Sequence, residues 1–133
     1  MEGLVIADTD VIIDFFCNRS TSAEIISALI LKKRFAVTAI TSYELYAGAQ
    51  NQRQKSDISS LLSQCEVFSL RGVDAERAGT ISFGLRRKGM LISSHDILIA
   101  SICICRGIPL YTRNTEHFGR IEGLSLFEAG ERS

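Results

Sequence analysis

Several acidic residues of the chain stand where a carboxylate is expensive to keep. The opening MEGLVIADTDVIIDFF sets Asp8, Asp10 and Asp14 into an otherwise apolar run. Burying a carboxylate is costly unless a partner compensates it. Further along, Glu44 falls in TAITSYELYAGA and Asp96 in LISSHDILIASI, while TRNTEHF supplies Thr112, Asn114, Glu116 and His117. If several carboxylates face one pocket, either some stay protonated or a cation neutralises them. Oxygen-only ligation by acids and water suits a hard divalent ion, Mg²⁺ or Mn²⁺. Such an ion activates a water and stabilises charge on a phosphoryl group.

The elements that must position these residues follow from the apolar patterning. Residues 4–7 (LVIA) form a continuous apolar run, the mark of a strand buried on both faces of a parallel sheet. Further strands are expected at 35–38, 67–70 and 109–112, with a possible fifth at 124–127. Helices are expected at 11–17, 22–33, 42–50, 54–64, 74–88 and 95–106, the last closed by Gly107. Strands alternating with helices predict an α/β fold, a three-layer α/β/α sandwich around a mostly parallel sheet. The first, second and fourth strands then end on one edge, where such sheets place their sites. Asp8, Glu44 and the TRNTEHF loop converge there, and Asp96 reaches in from the start of its helix.

At 133 residues the chain reads as a single domain over 1–133, and its 46% apolar and 23% charged content is that of a globular protein. Fifteen basic residues balance 15 acidic ones, so a polyanionic partner would have to be met by a local patch. The apolar runs are too short or too interrupted to span a bilayer, and no signal pattern precedes Asp8, so a cytoplasmic protein without a membrane partner is expected. The four cysteines form no CxxC pair and sit among apolar neighbours, so buried thiols are expected.

Each acid also has a purely structural reading. Asp10 precedes the helical pattern and suits an N-cap. Asp14 suits a salt-bridged helix position, Glu44 and Asp96 suit helix starts favoured by the dipole, and His117 suits the surface. Asp96 is set among Ile97, Leu98, Ile99 and Ala100, which implies burial around it. Ser94-His95-Asp96 is not a triad, because consecutive helical residues point in different directions. Neither GxxxxGK[ST] nor GxGxxG occurs.

Together, Asp8-Thr9-Asp10-Val11-Ile12-Ile13-Asp14, Thr41-Ser42-Tyr43-Glu44-Leu45-Tyr46-Ala47-Gly48, Ser94-His95-Asp96-Ile97-Leu98-Ile99-Ala100 and the segment from Ile108 to Phe118 resemble the PIN-domain family. In particular they resemble VapC-type ribonuclease toxins of toxin–antitoxin pairs. The resemblance implies a metal-dependent endoribonuclease in which Asp8, Glu44 and Asp96 hold Mg²⁺ or Mn²⁺. Thr112 and Asn114 match the polar residues of the last motif, and Glu116 is assigned as the further metal-site acid. Asp10, Asp14 and His117 are auxiliary, Arg113 and Arg120 are phosphate contacts to RNA, and the partners implied are a VapB-type antitoxin and a second copy in a homodimer. Position 10 is Asp where the family more often carries Asn or Ser.

Two alternatives accompany this reading. A strand followed by DxDxV also resembles haloacid-dehalogenase-type phosphatases, in which Asp8 would be the nucleophile and Asp10 the general acid/base. The other is a PIN-like module that binds without catalysing.

Overall fold

The computed structural model describes residues 3–128. Four short strands, β1 (Val5–Ala7), β2 (Phe35–Thr38), β3 (Glu66–Phe68) and β4 (Leu110–Tyr111), pair in the order β3-β2-β1-β4, all parallel. Seven helices are placed among them: α1 (Thr9–Phe16), α2 (Ser20–Leu31), α3 (Ala39–Gly48), α4 (Gln52–Leu62), α5 (Gly72–Arg87), α6 (Ser94–Arg106) and α7 (Thr115–Phe118).

The alternation of side chains along a strand divides the interior into two cores. Val5, Ala7, Phe35, Val37 and Tyr111 face one side, against Val11 and Ile12 of α1, Ile26 and Leu29 of α2, Leu45 of α3, and Ile58 and Leu61 of α4. Ile6, Ala36 and Leu110 face the other, against Ala78 and Leu85 of α5, Ile99, Ile102 and Cys103 of α6, and Phe118 of α7. That is the three-layer α/β/α arrangement. Val5, Ile6 and Ala7 are all fully buried, as a strand covered on both faces must be. Gly107 ends α6 in the left-handed region at φ 66°, which glycine adopts without penalty.

Several boundaries differ from the sequence reading for identifiable reasons. Helix α1 begins at Thr9, and its N-cap is Asp8, not Asp10; the Asp8 carboxylate accepts from the Thr9 N–H. The proposed strand at 124–127 is a single bridge between Leu126 and Leu110, flanked by Leu110 N–H to Ser125 O and Phe127 N–H to Leu110 O. A short helix, α7, stands within TRNTEHF, where only a loop was expected. Of the cysteines, Cys103 is buried, Cys65 and Cys105 are partly covered, and Cys17, expected buried, is exposed at the C-cap of α1, past the helical positions that pack on the core. Among the described residues no helix is long and apolar enough to cross a membrane.

The packing of α5 on α6 is pinned by a buried acid. Asp74 is fully buried and accepts from the Arg71 N–H at 2.8 Å, the Arg71 guanidinium at 3.1 Å and the Arg106 guanidinium at 3.0 Å. Burial pushes its carboxyl up, but the hydrogen bonds from Arg71 and Arg106 outweigh that and hold it well below the usual carboxylate range. A folded-state value below the unfolded one contributes stability above the unfolded pKa, and that stability is lost as pH falls. Asp74→Ala should therefore lower unfolding free energy by about 3 kcal/mol at neutral pH, the usual cost of breaking a buried pair. Urea unfolding should show a lower midpoint at unchanged slope, and the gap from wild type should shrink below about pH 4.

Candidate active site

The sheet winds from β1 through β2 to β3, and then returns to β4 on the far side of β1. The carboxyl edge between β1 and β4 is therefore the topological switch point. Asp8 follows β1 and Thr112 follows β4, and the Thr112 hydroxyl donates to Asp8 Oδ2 at 2.7 Å. Asp8 Oδ1 accepts from the Thr9 N–H at 2.8 Å. The Thr112 oxygen in turn accepts from the Asn114 N–H at 3.0 Å. Asp8 is thus fixed at both oxygens by the chain itself.

Around it stand three further acids. Asp10, in the first turn of α1, accepts from the Arg113 N–H at 3.1 Å through Oδ2, while its buried Oδ1 has no hydrogen-bond partner among the described residues. Asp96 sits in the first turn of α6, whose N-cap Ser93 accepts from the Asp96 N–H at 3.2 Å. Glu44 comes from α3, which starts directly at the end of β2 and is capped by the Thr38 hydroxyl. Its Oε1 accepts from the Thr9 hydroxyl, and its Oε2 lies 2.9 Å from His95 Nδ1.

The electrostatics record the crowding. Burial, then the neighbouring Asp10 charge, push the Asp8 carboxyl up to about 7, against hydrogen bonds from Thr112 and Thr9. Burial also raises Asp10, against the Arg113 and Val11 N–H groups. Burial raises Asp96, against a hydrogen bond from Ser93, and the Glu44 charge adds to the rise. His117, which meets the Asn114 amide at 3.1 Å, pulls the Asp96 carboxyl the other way.

The side chains of Asp14, Arg113 and Arg120, also named from sequence, are engaged by partners outside the four acids. Asp14 is turned to Arg19, Ser22 and Arg113, with the Arg113 Nε at 2.7 Å. Burial raises its carboxyl, but those hydrogen bonds outweigh burial and hold it below the usual range. Arg113 therefore spends its guanidinium on Asp14, and Arg120 donates to the Met90 carbonyl at 3.2 Å. Glu116 is exposed on α7, and its carboxylate makes no hydrogen bond among the described residues. Sequence reasoning missed Thr9 and His95 as partners of Glu44. The Ser94-His95-Asp96 run indeed builds no triad, since His95 turns to Glu44.

The donor set is all oxygen, carries more negative charge than its surroundings offset, and includes an orphaned carboxylate oxygen. These features fit a hard divalent cation. Among the described residues no three Asp, Glu, His or Cys side chains already form a ready ligand set.

All four acids lie within the part of the chain that matches a known family. The PIN domain model matches residues 5–124, and the chain belongs to the PIN domain family. Ribonuclease VapC1 of Methanocaldococcus jannaschii is 29% identical over 132 residues, covering 96% of this chain and 89% of the relative. The tRNA(fMet)-specific endonuclease VapC of Salmonella typhimurium is 30% identical over 97 residues, covering 70% of this chain and 74% of the relative. The solved structure of DNA-bound VapBC from Salmonella typhimurium superposes with a TM-score of 0.83 at 26% identity, covering 95% of this chain and 98% of that one.

The raised Asp8 carboxyl has a measurable consequence for the protein freed of divalent ions. Its folded-state value, about 7, lies above the ordinary 3.8 of the unfolded chain. Between those values the folded state holds a proton that the unfolded state has lost, so this contribution to stability falls as pH rises. Asp8→Asn cannot ionise and escapes the loss. In urea unfolding it should gain on wild type by roughly 2–4 kcal/mol between pH 4 and pH 8. A gap between the two proteins that does not change with pH would contradict the raised carboxyl.

Proposed function

We propose that the chain is a metal-dependent endoribonuclease, the toxin of a VapBC-type toxin–antitoxin pair acting in the cytoplasm. The reading rests chiefly on Asp8, Asp10, Glu44 and Asp96 meeting at the switch point of a PIN-family sheet, with Asp10 Oδ1 unpartnered. Membership in this family and the printed activities of the similar VapC proteins support RNA as substrate. The whole chain, 1–133, is assigned as one PIN-like nuclease domain.

Asp8, Glu44 and Asp96 are the residues that hold Mg²⁺ or Mn²⁺, with Glu116 as the further acid and Asp10 as an auxiliary oxygen donor. When bound, such an ion supplies a water of lowered pKa and neutralises charge on the scissile phosphate. The chain's own residues prepare that site. The Thr112 hydroxyl and the Thr9 N–H occupy one lone-pair direction on each Asp8 oxygen and leave the others free. Asn114 sets the Thr112 hydroxyl as a donor by giving it an N–H. Thr9 and His95 hold the two oxygens of Glu44 and so fix its plane. Arg113 and Arg120 are assigned to phosphates of the bound strand, and Asp14 steadies Arg113.

The partners are a VapB-type antitoxin and a second copy of the chain. A cleft of about 540 Å³ between α1, α3 and α4 is lined by the apolar Ile13, Phe16, Leu45, Ala49 and Ile58 and by the polar Glu44, Asn51, Arg53, Gln54 and Asp57. This mixed lining, with Glu44 in it, supports the seating of an antitoxin segment that carries both apolar and polar side chains. The phosphatase alternative has little support, since among the described residues no lysine hydrogen-bonds to Asp8 or Asp10.

Purified protein should cut single-stranded RNA with Mg²⁺ or Mn²⁺. Chelation should stop cutting, and Asp8→Asn or Asp96→Asn should reduce it by at least about 100-fold. Cutting that persists in chelator or in both variants would overturn the reading, and phosphate release from a small phosphomonoester dependent on Asp8 would favour the phosphatase. His95→Phe keeps a ring but loses the bond to Glu44, and should weaken Mn²⁺ binding by about tenfold, the usual scale for a partner that orients a ligand. His95→Asn, which returns a donor near Nδ1, should recover most of it in calorimetry.

A further inference from the structure

Tyr43 is the outlier among the three tyrosines. Tyr111 is 7% exposed and its hydroxyl reaches Ser22, and Tyr46 is 38% exposed with its hydroxyl on Ser59. Tyr43 is 61% exposed, and its hydroxyl has no hydrogen-bond partner among the described residues. Its one ring contact there is His95, with ring centroids 5.9 Å apart and planes at 77°. His95 is itself half exposed and is tied to Glu44 at 2.9 Å. The fold thus leaves an open aromatic corner, two nearly perpendicular rings, one residue from Glu44 on α3 and one from Asp96 on α6.

The charge of the site gives this corner its significance. Asp8, Asp10, Glu44 and Asp96 repel a polyanion, and the chain offers no net positive charge to offset them. Arg113 already shares its charge with Asp14. Even with a cation at the acids and Arg113 and Arg120 on phosphates, a strand that enters here is held more firmly by an attraction that does not depend on phosphate charge, and base–aromatic stacking is one. Every base has a π-face, and an L-shaped pair lets a base lie flat on one ring with its edge against the other.

We propose that Tyr43 and His95 form a stacking subsite for an unpaired nucleobase beside the scissile phosphate. The proposal rests on the ribonuclease reading above, and commits to single-stranded RNA as the occupant of this corner. The subsite sets where the strand lies relative to the acids, and so contributes to binding more than to the chemical step.

The test is a cycle between protein and substrate, run on a short single-stranded RNA whose cleavage position has been mapped with the wild-type protein. Tyr43→Ala should raise KM by about tenfold or more with kcat little changed, and Tyr43→Phe should stay near wild type. Wild type acting on RNA with an abasic nucleotide at one side of the scissile phosphate should show the same loss. Combining Tyr43→Ala with that abasic RNA should add nothing further. The Tyr43→Ala effect should also be the same at 50 and 200 mM salt, unlike a phosphate contact. Unchanged KM in Tyr43→Ala, fully additive losses with abasic nucleotides on either side, or an effect confined to oligomeric state or antitoxin binding would each overturn the subsite while leaving the nuclease standing. Wild-type protein that cuts no RNA with any divalent ion would overturn both.

Discussion

The burial of carboxylates at one sheet edge, compounded by their repulsion of one another, is the constraint on which the rest of this structure depends. Asp8 comes from the end of a fully buried strand, and it can stand there only because Thr9 and Thr112 give it hydrogen bonds. Those bonds reduce the cost of burial without removing it, since the carboxyl remains raised. The fold keeps the residual cost at the place where a cation can answer it. Elsewhere it treats buried acids differently: Asp74 and Asp14 are each met by two arginines. The contrast separates acids that hold the fold together from acids held in readiness.

Topology makes the gathering possible. A parallel sheet puts the ends of β1, β2 and β4 on one edge, and the reversal of winding beside β1 opens a gap there. Helices α1, α3 and α6 then begin at or near that edge and bring Asp10, Glu44 and Asp96 on their first turns or shortly after. The two cores on opposite faces of the sheet fix those starts, so the site is carried by rigid elements rather than by loops.

Much of this was legible in the sequence because it is local. The run FAVT is a strand over 35–38 as expected, and Asp8 and Asp96 sit at element ends that apolar patterning locates, whereas Glu44, expected at a helix start, lies in the second turn of α3 because that helix begins at Ala39. What was not legible depends on pairing across the chain. Thr9 and His95 reach Glu44 over 35 and 51 residues, and neither residue type announces such a partner. Asp8 rather than Asp10 caps α1 because the helix starts immediately at the strand's end, which periodicity cannot resolve. Helix α7 is only four residues long and its apolar anchor is Phe118 alone, too little for a helical pattern to register.

The central claim is that this acid cluster binds a divalent cation through Asp8. Calorimetric titration of the purified protein with Mn²⁺ tests it most directly. Saturable binding in the wild type, lost or greatly weakened in a folded Asp8→Asn protein, is the predicted result. No saturable binding, or equal affinity in the two proteins, would contradict it.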